Sequence, residues 1–213
     1  NIPKPMAPIS GFPFLELILK NLNKKGFKRI IISTFYKSEV IENYFADRYQ
    51  NMEIIYTKEK DTLGTGGAIN FSLNFVSNNV DHIYVLNGDT FLDLDIKVIE
   101  EKWLKYKEPI LVGVEVDACE RYGKFLIKNG YVEGMNEKGI KGRGIINAGC
   151  YVFPKDFLKG WRGPQKFSLE KDYLNSAFNK KRFLLHHYKG LFIDIGVPSD
   201  YEKAKNVLGD NYE

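Results

Sequence analysis

His82-Ile83-Tyr84-Val85-Leu86-Asn87-Gly88-Asp89-Thr90 is the stretch whose reading decides the fold. A short apolar run predicts a strand over 82–86, and it breaks at once into Asn-Gly-Asp. In open parallel sheets ligands gather beyond the carboxyl ends of strands, so Asp89 is placed to hold a metal or a polar group. A plain turn uses the same dipeptides, and that reading stays open.

Outward from this strand, the apolar period switches repeatedly between helical and extended, the mark of α/β architecture. Phe14 to Lys24 reads as a helix with Leu15, Ile18, Leu19 and Leu22 on one face, ended by Gly26. Lys28 to Ser33 reads as a buried strand, and Ser38 caps a second helix through Phe45. Glu53 to Tyr56 is the next strand and Gly66 to Val76 the next helix. Ile96 to Lys105 is a helix followed by the strand Ile110 to Val116. The rhythm then breaks: Gly123 to Lys128 and Tyr131 to Met135 flank Asn129-Gly130, which suits a two-residue type I′ hairpin. Residues 117–144 are thus expected as an antiparallel excursion from a mixed, mainly parallel sheet. Ile145 to Phe153 resumes a buried strand, Ser168 opens a helix, and Arg182 to His187 and Leu191 to Ile195 are late strands. Ser199 with Glu202 has capping-box spacing for a last helix. Without repeats or linker-like stretches, the 213 residues read as one domain.

Composition narrows the classes. With 44% hydrophobic and 27% charged residues the chain can bury a full core. No apolar run approaches the roughly 20 residues that span a bilayer, and no secretory signal opens the chain. It reads as soluble, with no membrane partner. Two cysteines, Cys119 and Cys150, make neither a disulfide framework nor a zinc site, so a reducing cytoplasm is the default. The net charge of +4 rests on scattered lysines and six arginines, a weak basis for nucleic-acid binding but one that suits a small anionic ligand.

Three further motifs carry chemistry. Leu63-Gly64-Thr65-Gly66-Gly67 lies between a strand and a helix, where glycines let backbone approach a ligand and free amides attract electron-rich atoms. It matches neither the dinucleotide nor the P-loop fingerprint, and a tight loop explains it as well. Asp194 sits inside the apolar run Phe192 to Ile195, where a buried carboxylate needs a partner, a lysine or amides among them. Two carboxylates at about 4 Å repel by roughly 4 kcal/mol at an effective dielectric of 20, which a divalent cation reverses. Asp89 with Asp194 is therefore a candidate magnesium pair. Pro3 and Pro5 fix the backbone on both sides of Lys4 and aim its ammonium, unless it is a plain surface lysine. Glu137-Lys138 resembles an exposed charge pair. Asn147-Ala148-Gly149 presents an amide to a ligand hydroxyl or forms a bulge.

In order, Lys4-Pro5-Met6, Leu63 to Gly67, Gly88-Asp89, Tyr122-Gly123, Glu137-Lys138, Asn147-Ala148-Gly149 and Asp194-Ile195-Gly196 resemble the sugar-1-phosphate nucleotidyltransferase family along essentially the whole chain. Phe167 to Asp172 and Ile193 to Pro198 look most like the bacterial D-glycero-D-manno-heptose 1-phosphate guanylyltransferases. Mannose-1-phosphate guanylyltransferases and muramate-type uridylyltransferases are near neighbours. The resemblance implies a Rossmann-like three-layer sandwich of glycosyltransferase-A-like type. It implies attack of a sugar 1-phosphate, probed first as the heptose, on the α-phosphorus of a nucleoside triphosphate, expected to be GTP. It also implies Mg²⁺ on Asp89 and Asp194, with Lys4 on the triphosphate and Lys138 on the sugar phosphate. Leu63, Gly64, Thr65, Gly66, Gly67, Asn87 and Gly88 would line the nucleotide site. Tyr122, Gly123, Glu137, Asn147 and Gly149 would address the sugar, with a homodimer as candidate assembly. Family members open with a strand and a G-x-G-T-R phosphate loop, and Asn1 follows both, so an N-terminal piece is expected before it. A non-catalytic regulatory subunit of the same fold is the rival, opposed by Asp89 and Asp194. An oxidoreductase would need the dinucleotide fingerprint.

Overall fold

The computed structural model describes residues 2–136 and 138–209. In chain order its first half comprises β1 (Pro8–Ile9), β2 (Phe12–Pro13), α1 (Phe14–Lys24), β3 (Arg29–Thr34), α2 (Ser38–Phe45), β4 (Arg48–Tyr49), β5 (Met52–Lys58), α3 (Gly64–Ser72), β6 (His82–Leu86) and β7 (Thr90–Leu92). There follow α4 (Ile96–Tyr106), β8 (Ile110–Val116), β9 (Lys124–Lys128), β10 (Tyr131–Asn136), β11 (Gly144–Pro154), a π-helical turn Leu169–Leu174 running into α5 (Asn175–Ala177), β12 (Leu184–Tyr188), β13 (Phe192–Asp194) and α6 (Pro198–Gly209). Two compact units form, one from residues 1–61, 87–93 and 191–213, the other from 62–86 and 94–190. No described helix is long and apolar enough to cross a membrane.

In the first unit α1 buries Phe14, Leu15, Leu17, Ile18, Leu19 and Leu22, and its buried Asn21 donates from Nδ2 to the Leu92 carbonyl at 2.9 Å. That bond fastens α1 to β7. β3 and β5 run parallel through the α2 crossover, with β4 antiparallel on the far side of β5. β7 and β13 form a two-stranded antiparallel sheet that pairs Asp194 with Thr90.

The second unit is built on a six-stranded sheet ordered β6-β11-β8-β12-β10-β9. β11 runs antiparallel to both β6 and β8, and β12 parallel to β8. The hairpin β9–β10 forms as its sequence predicts, with Asn129 and Gly130 both at positive φ, 50° and 81°. An aromatic core of Tyr151, Phe153, Phe157, Phe167, Tyr173 and Phe183 fills one cluster with Leu111, Leu169 and Leu174. α4 is capped by Asp95 and anchored through Glu100, which accepts from Tyr84 Oη at 2.7 Å and lies 3.0 Å from His82 Nε2.

Several expectations are corrected. The sheets are mixed but mainly antiparallel, because β11 returns between β6 and β8 and short turns join β1 to β2, β4 to β5 and β9 to β10. Only β3–β5 and β8–β12 pair parallel among the described residues. β3 is half-buried rather than buried, since it is the end strand of its sheet. Ser38 is the first residue of α2 rather than its cap; Lys37, at φ 50°, precedes it. Pro198 opens α6, so Ser199 lies inside the helix and the capping box does not form there.

The start of α3 is clasped to the segment 165–167. The Gly66 and Gly67 amides both donate to the Phe167 carbonyl, at 3.0 and 3.3 Å, and the Phe167 amide donates back to the Leu63 carbonyl at 2.9 Å. A Cβ at Gly64 would lie 2.6 Å from the Phe167 oxygen, at Gly66 2.2 Å from the Phe167 ring, and at Gly67 2.3 Å from the Gln165 oxygen. The ring itself is buried and packs on Trp161, with centroids 4.5 Å apart.

Two outcomes follow from this packing. Gly67→Ala must displace backbone and should lose about 1–3 kcal/mol of stability. Gly88→Ala, whose Cβ would meet the Pro5 ring at ordinary distances, Cγ at 3.5 Å and Cβ at 4.0 Å, should be near neutral. Urea unfolding of the two variants checks the contrast, and equal stabilities would refute it. The second outcome concerns His186 in β12. Burial first, then the Lys102 ammonium, brings its imidazole down from 6.5 to about 4. The unfolded chain therefore takes up this proton at higher pH than the folded one. The stabilisation is full above about pH 6.5 and is lost as pH falls toward 4, at most about 3 kcal/mol at roughly 1.4 kcal/mol per unit. Urea midpoints at pH 7 and pH 4.5 should show His186→Gln losing less stability than the parent over that interval. Equal losses would assign the acid limb to other groups.

Candidate functional site

The first unit gathers charge at one pair of strand ends. Pro3 is buried, and Lys4 opens a 3₁₀ turn, Lys4–Met6, between the two prolines. Its ammonium donates to Asp89 Oδ2 at 2.9 Å. Asp89 follows the exposed Asn87-Gly88 turn, whose Asn87 carbonyl accepts the Thr90 amide at 3.4 Å. The Ile195 amide donates to the Asp89 carbonyl at 3.0 Å, which puts Asp194 and Asp89 on neighbouring ends of β13 and β7. Asp194 is half-buried rather than buried, and its Oδ1 accepts the Gly196 amide at 2.6 Å. A Cβ at Gly196 would lie 2.8 Å from that oxygen, so a side chain there would push the Asp194 carboxylate aside. Of the sequence candidates, Lys4, Asn87, Gly88, Asp89 and Asp194 come together here. The lysine-to-carboxylate pairing falls on Asp89.

In the second unit the glycine loop is shaped differently from its sequence reading. The Gly66 and Gly67 amides, expected to be open to a ligand, are consumed by Phe167. Their missing side chains make room for residues 165–167 of the same chain. The first two amides of α3, those of Gly64 and Thr65, remain as its N-terminal donors, next to Leu63.

Asn147 and Gly149 form the bulge that the sequence left as an alternative. The β11–β8 register shifts between Asn147 and Tyr151, Gly149 adopts φ 67°, and its amide donates to Asn147 Oδ1 at 3.0 Å. Asn147 Nδ2 donates to Tyr151 Oη at 2.7 Å, and the Asn147 amide donates to the Gly123 carbonyl at 2.9 Å. Asn136 and Ile146 both pair with Lys124, so the ends of β10 and β11 and the Tyr122-Gly123 stretch are neighbours. Lys138 occupies an exposed turn two residues beyond Asn136. Glu137 lies outside the described residues.

Sequence reasoning missed Tyr151 and Glu170. Tyr151 is 1% exposed, and burial first, then the Glu170 charge, pushes its phenol well above the usual range. It stays a neutral hydroxyl and donates to Glu170 Oε1 at 3.0 Å. The other Glu170 oxygen accepts from Thr65 Oγ1 and Ser168 Oγ, each at 3.0 Å. A Ser-x-Glu spacing was visible, but its partners lie 19 and 105 residues away.

Known proteins resemble this arrangement along the whole chain. Residues 1–211 match the family described as nucleotidyl transferase. A D-glycero-alpha-D-manno-heptose 1-phosphate guanylyltransferase of Aneurinibacillus thermoaerophilus is 38% identical over 209 residues, 98% of this chain and 90% of that one. One of the same name from Campylobacter jejuni is 41% identical over 202 residues, 94% of this chain and 88% of its own. The crystal structure of HddC from Yersinia pseudotuberculosis superposes with a TM-score of 0.86 at 38% identity, over 97% of this chain and 90% of that chain. The same protein complexed with GMP-PN gives 0.85. This chain belongs to the nucleotidyl transferase family.

Proposed function

We propose that the chain transfers GMP from GTP to D-glycero-D-manno-heptose 1-phosphate, releasing pyrophosphate and giving a nucleotide sugar for surface polysaccharide synthesis in the cytoplasm. The observation that carries this is the Lys4–Asp89 pair beside Asp194, in a chain 38–41% identical over nearly its whole length to two heptose 1-phosphate guanylyltransferases. We read the whole chain as one nucleotidyltransferase domain of glycosyltransferase-A-like fold.

The chemistry asks little of side-chain bases. A phosphate monoester has a second pKa near 6, so the sugar phosphate is mostly dianionic at neutral pH and is itself the nucleophile. Its oxygen forms the new bond to the α-phosphorus while the bond to the β-phosphate breaks, and pyrophosphate departs with the electron pair. The protein must align the two anions and neutralise their charge. Asp89 and Asp194, on neighbouring strand ends, are the carboxylates that would hold magnesium, which takes one or two carboxylates and completes its shell with phosphate oxygens and water. The Lys4 ammonium already shows that Asp89 attracts a cation. When bound there, magnesium would supply charge neutralisation at the phosphates.

Lys4 contacts the triphosphate. Its pair with Asp89, with side chains 48% and 32% exposed, is an ion pair of a kind worth under about 1 kcal/mol, so substrate phosphate competes for the ammonium. Gly64 and Thr65 amides meet the base: two adjacent donors match guanine O6 and N7, whereas uracil and thymine set a donor between their carbonyls. Asn87 and Gly88 line the nucleotide, Lys138 holds the sugar phosphate, and Tyr122, Gly123, Glu137, Asn147 and Gly149 address sugar hydroxyls.

Pyrophosphate release across the four nucleoside triphosphates, with heptose and mannose 1-phosphates and Mg²⁺, tests the reading. GTP with the heptose should lead. A preference for UTP or dTTP would overturn the guanylyl assignment, and no release with any pair would favour a regulatory protein. Asp89→Asn should lower kcat by about a hundredfold or more while melting within a few degrees of the parent. Retained turnover would remove Asp89 from the metal site.

A further inference from the structure

Glu170 joins the start of α3 to the bulge of β11 within the second unit. Its carboxylate can only accept hydrogen bonds, and three hydroxyls with one proton each converge on it: Tyr151 on Oε1, and Thr65 and Ser168 on Oε2, all at 3.0 Å. Each hydroxyl, its proton committed, turns its lone pairs outward to a second donor. Thr65 Oγ1 accepts the Leu169 amide at 2.8 Å, Ser168 Oγ the Lys171 amide at 3.2 Å, and Tyr151 Oη the Asn147 Nδ2 at 2.7 Å. The Asn147 amide is thereby fixed, Nδ2 toward the phenol and Oδ1 toward the Gly149 amide.

The direction of every bond in this chain follows from the single charged acceptor at its end. A neutral amide in place of Glu170 brings a donor of its own, and either the Thr65–Ser168 side or the Tyr151 side must then reverse. Thr65 stands at the start of α3 and Asn147 at the bulge of β11, so one reversed hydroxyl alters the base side or the sugar side.

We infer that Glu170 is a positioning residue that sets both Thr65 and Asn147, so that the affinities for the nucleoside triphosphate and for the sugar 1-phosphate each depend on this one carboxylate. This rests on the proposed function, in which Thr65 belongs to the nucleotide loop and Asn147 to the sugar site.

Glu170→Gln tests it with steady-state kinetics, thermal melting and the side-chain amide resonance of Asn147 in substrate-free protein. The expected result is a rise of about tenfold in the KM of GTP, of the sugar phosphate or of both, with kcat changed far less and a displaced Asn147 resonance. Thr65→Val should raise only the nucleotide KM and Tyr151→Phe only the sugar phosphate KM, each adding little when combined with Glu170→Gln. If Glu170→Gln melts far below the parent, Tyr151→Phe, which removes one hydroxyl and keeps the ring, carries the test through the sugar phosphate KM and the Asn147 resonance. Unchanged KM values, or an unmoved Asn147 resonance, in a variant that turns over would overturn the role of Glu170 alone. A parent protein that releases no pyrophosphate would overturn the proposed function and this role with it.

Discussion

The Phe167 backbone, bonded to Leu63, Gly66 and Gly67 where no side chain intervenes, is the constraint on which the second unit's structure around α3 depends. Three backbone bonds contribute only about 1 kcal/mol each, yet breaking one beside a buried ring leaves a polar group unpaired at about 1–3 kcal/mol. The clasp fixes where α3 begins. It also fixes where residues 168–172 run, so the Ser168 cap and the Glu170 carboxylate arrive in register with Thr65. The Phe167 ring carries this order into the aromatic core through Trp161. Preorganisation of the loop is thus an outcome of packing: the donors that remain at its tip are held by groups that have already found their partners.

The first unit solves an opposite problem. Two carboxylates on adjacent strand ends repel, and both lie at a half-buried surface. Lys4 relieves one of them from a backbone stiffened by prolines, and Gly196 offers an amide to the other. Both are hydrogen bonds to charged groups, stronger than neutral ones but reversible at a half-exposed surface. Strand ends held by their neighbours, with both carboxylates paired through exchangeable bonds at a half-buried surface, keep rigid oxygens where the proposed phosphate chemistry would use them.

What the sequence disclosed was local. β6 and β8 match the apolar runs read for them, α1 matches its amphipathic stretch, and Asn129-Gly130 gave the hairpin, because each depends on neighbours along the chain. Strand order was not legible: nothing in Gly144 to Pro154 says that β11 lies between β6 and β8, and that placement made the sheet mainly antiparallel. Glycine was legible as a demand for space and silent about what fills it. At Gly66 and Gly67 the space is filled by Phe167 and Gln165, about a hundred residues further on, so a ligand cradle and a packing site read alike. Asp89 was singled out because it follows the carboxyl end of a strand, and Asp194 because a carboxylate in an apolar run calls for a partner. Glu170 was not given a role, although its segment carries the family resemblance, because its partners Thr65 and Tyr151 are distant in sequence.

Under the proposed function Glu170 stands next to a surface that takes two anionic substrates, and a carboxylate there needs a physical reason. A unit charge about 8 Å from a phosphate opposes it by about 2 kcal/mol at an effective dielectric of 20. Glutamine would avoid that repulsion, but it cannot accept from three hydroxyls at once, and the bonds to Thr65, Ser168 and Tyr151 would compete for a single carbonyl oxygen. In place, the three hydroxyl dipoles point their positive ends at Glu170 and spread its charge, while the N-terminus of α3 beside Thr65 adds positive potential. The repulsion that survives is distance-weighted and shared by every anion, so it discriminates little. The orientation that Glu170 imposes on Thr65 and Asn147 would act at contact range in the proposed site, where hydrogen-bond direction separates one base or sugar from another.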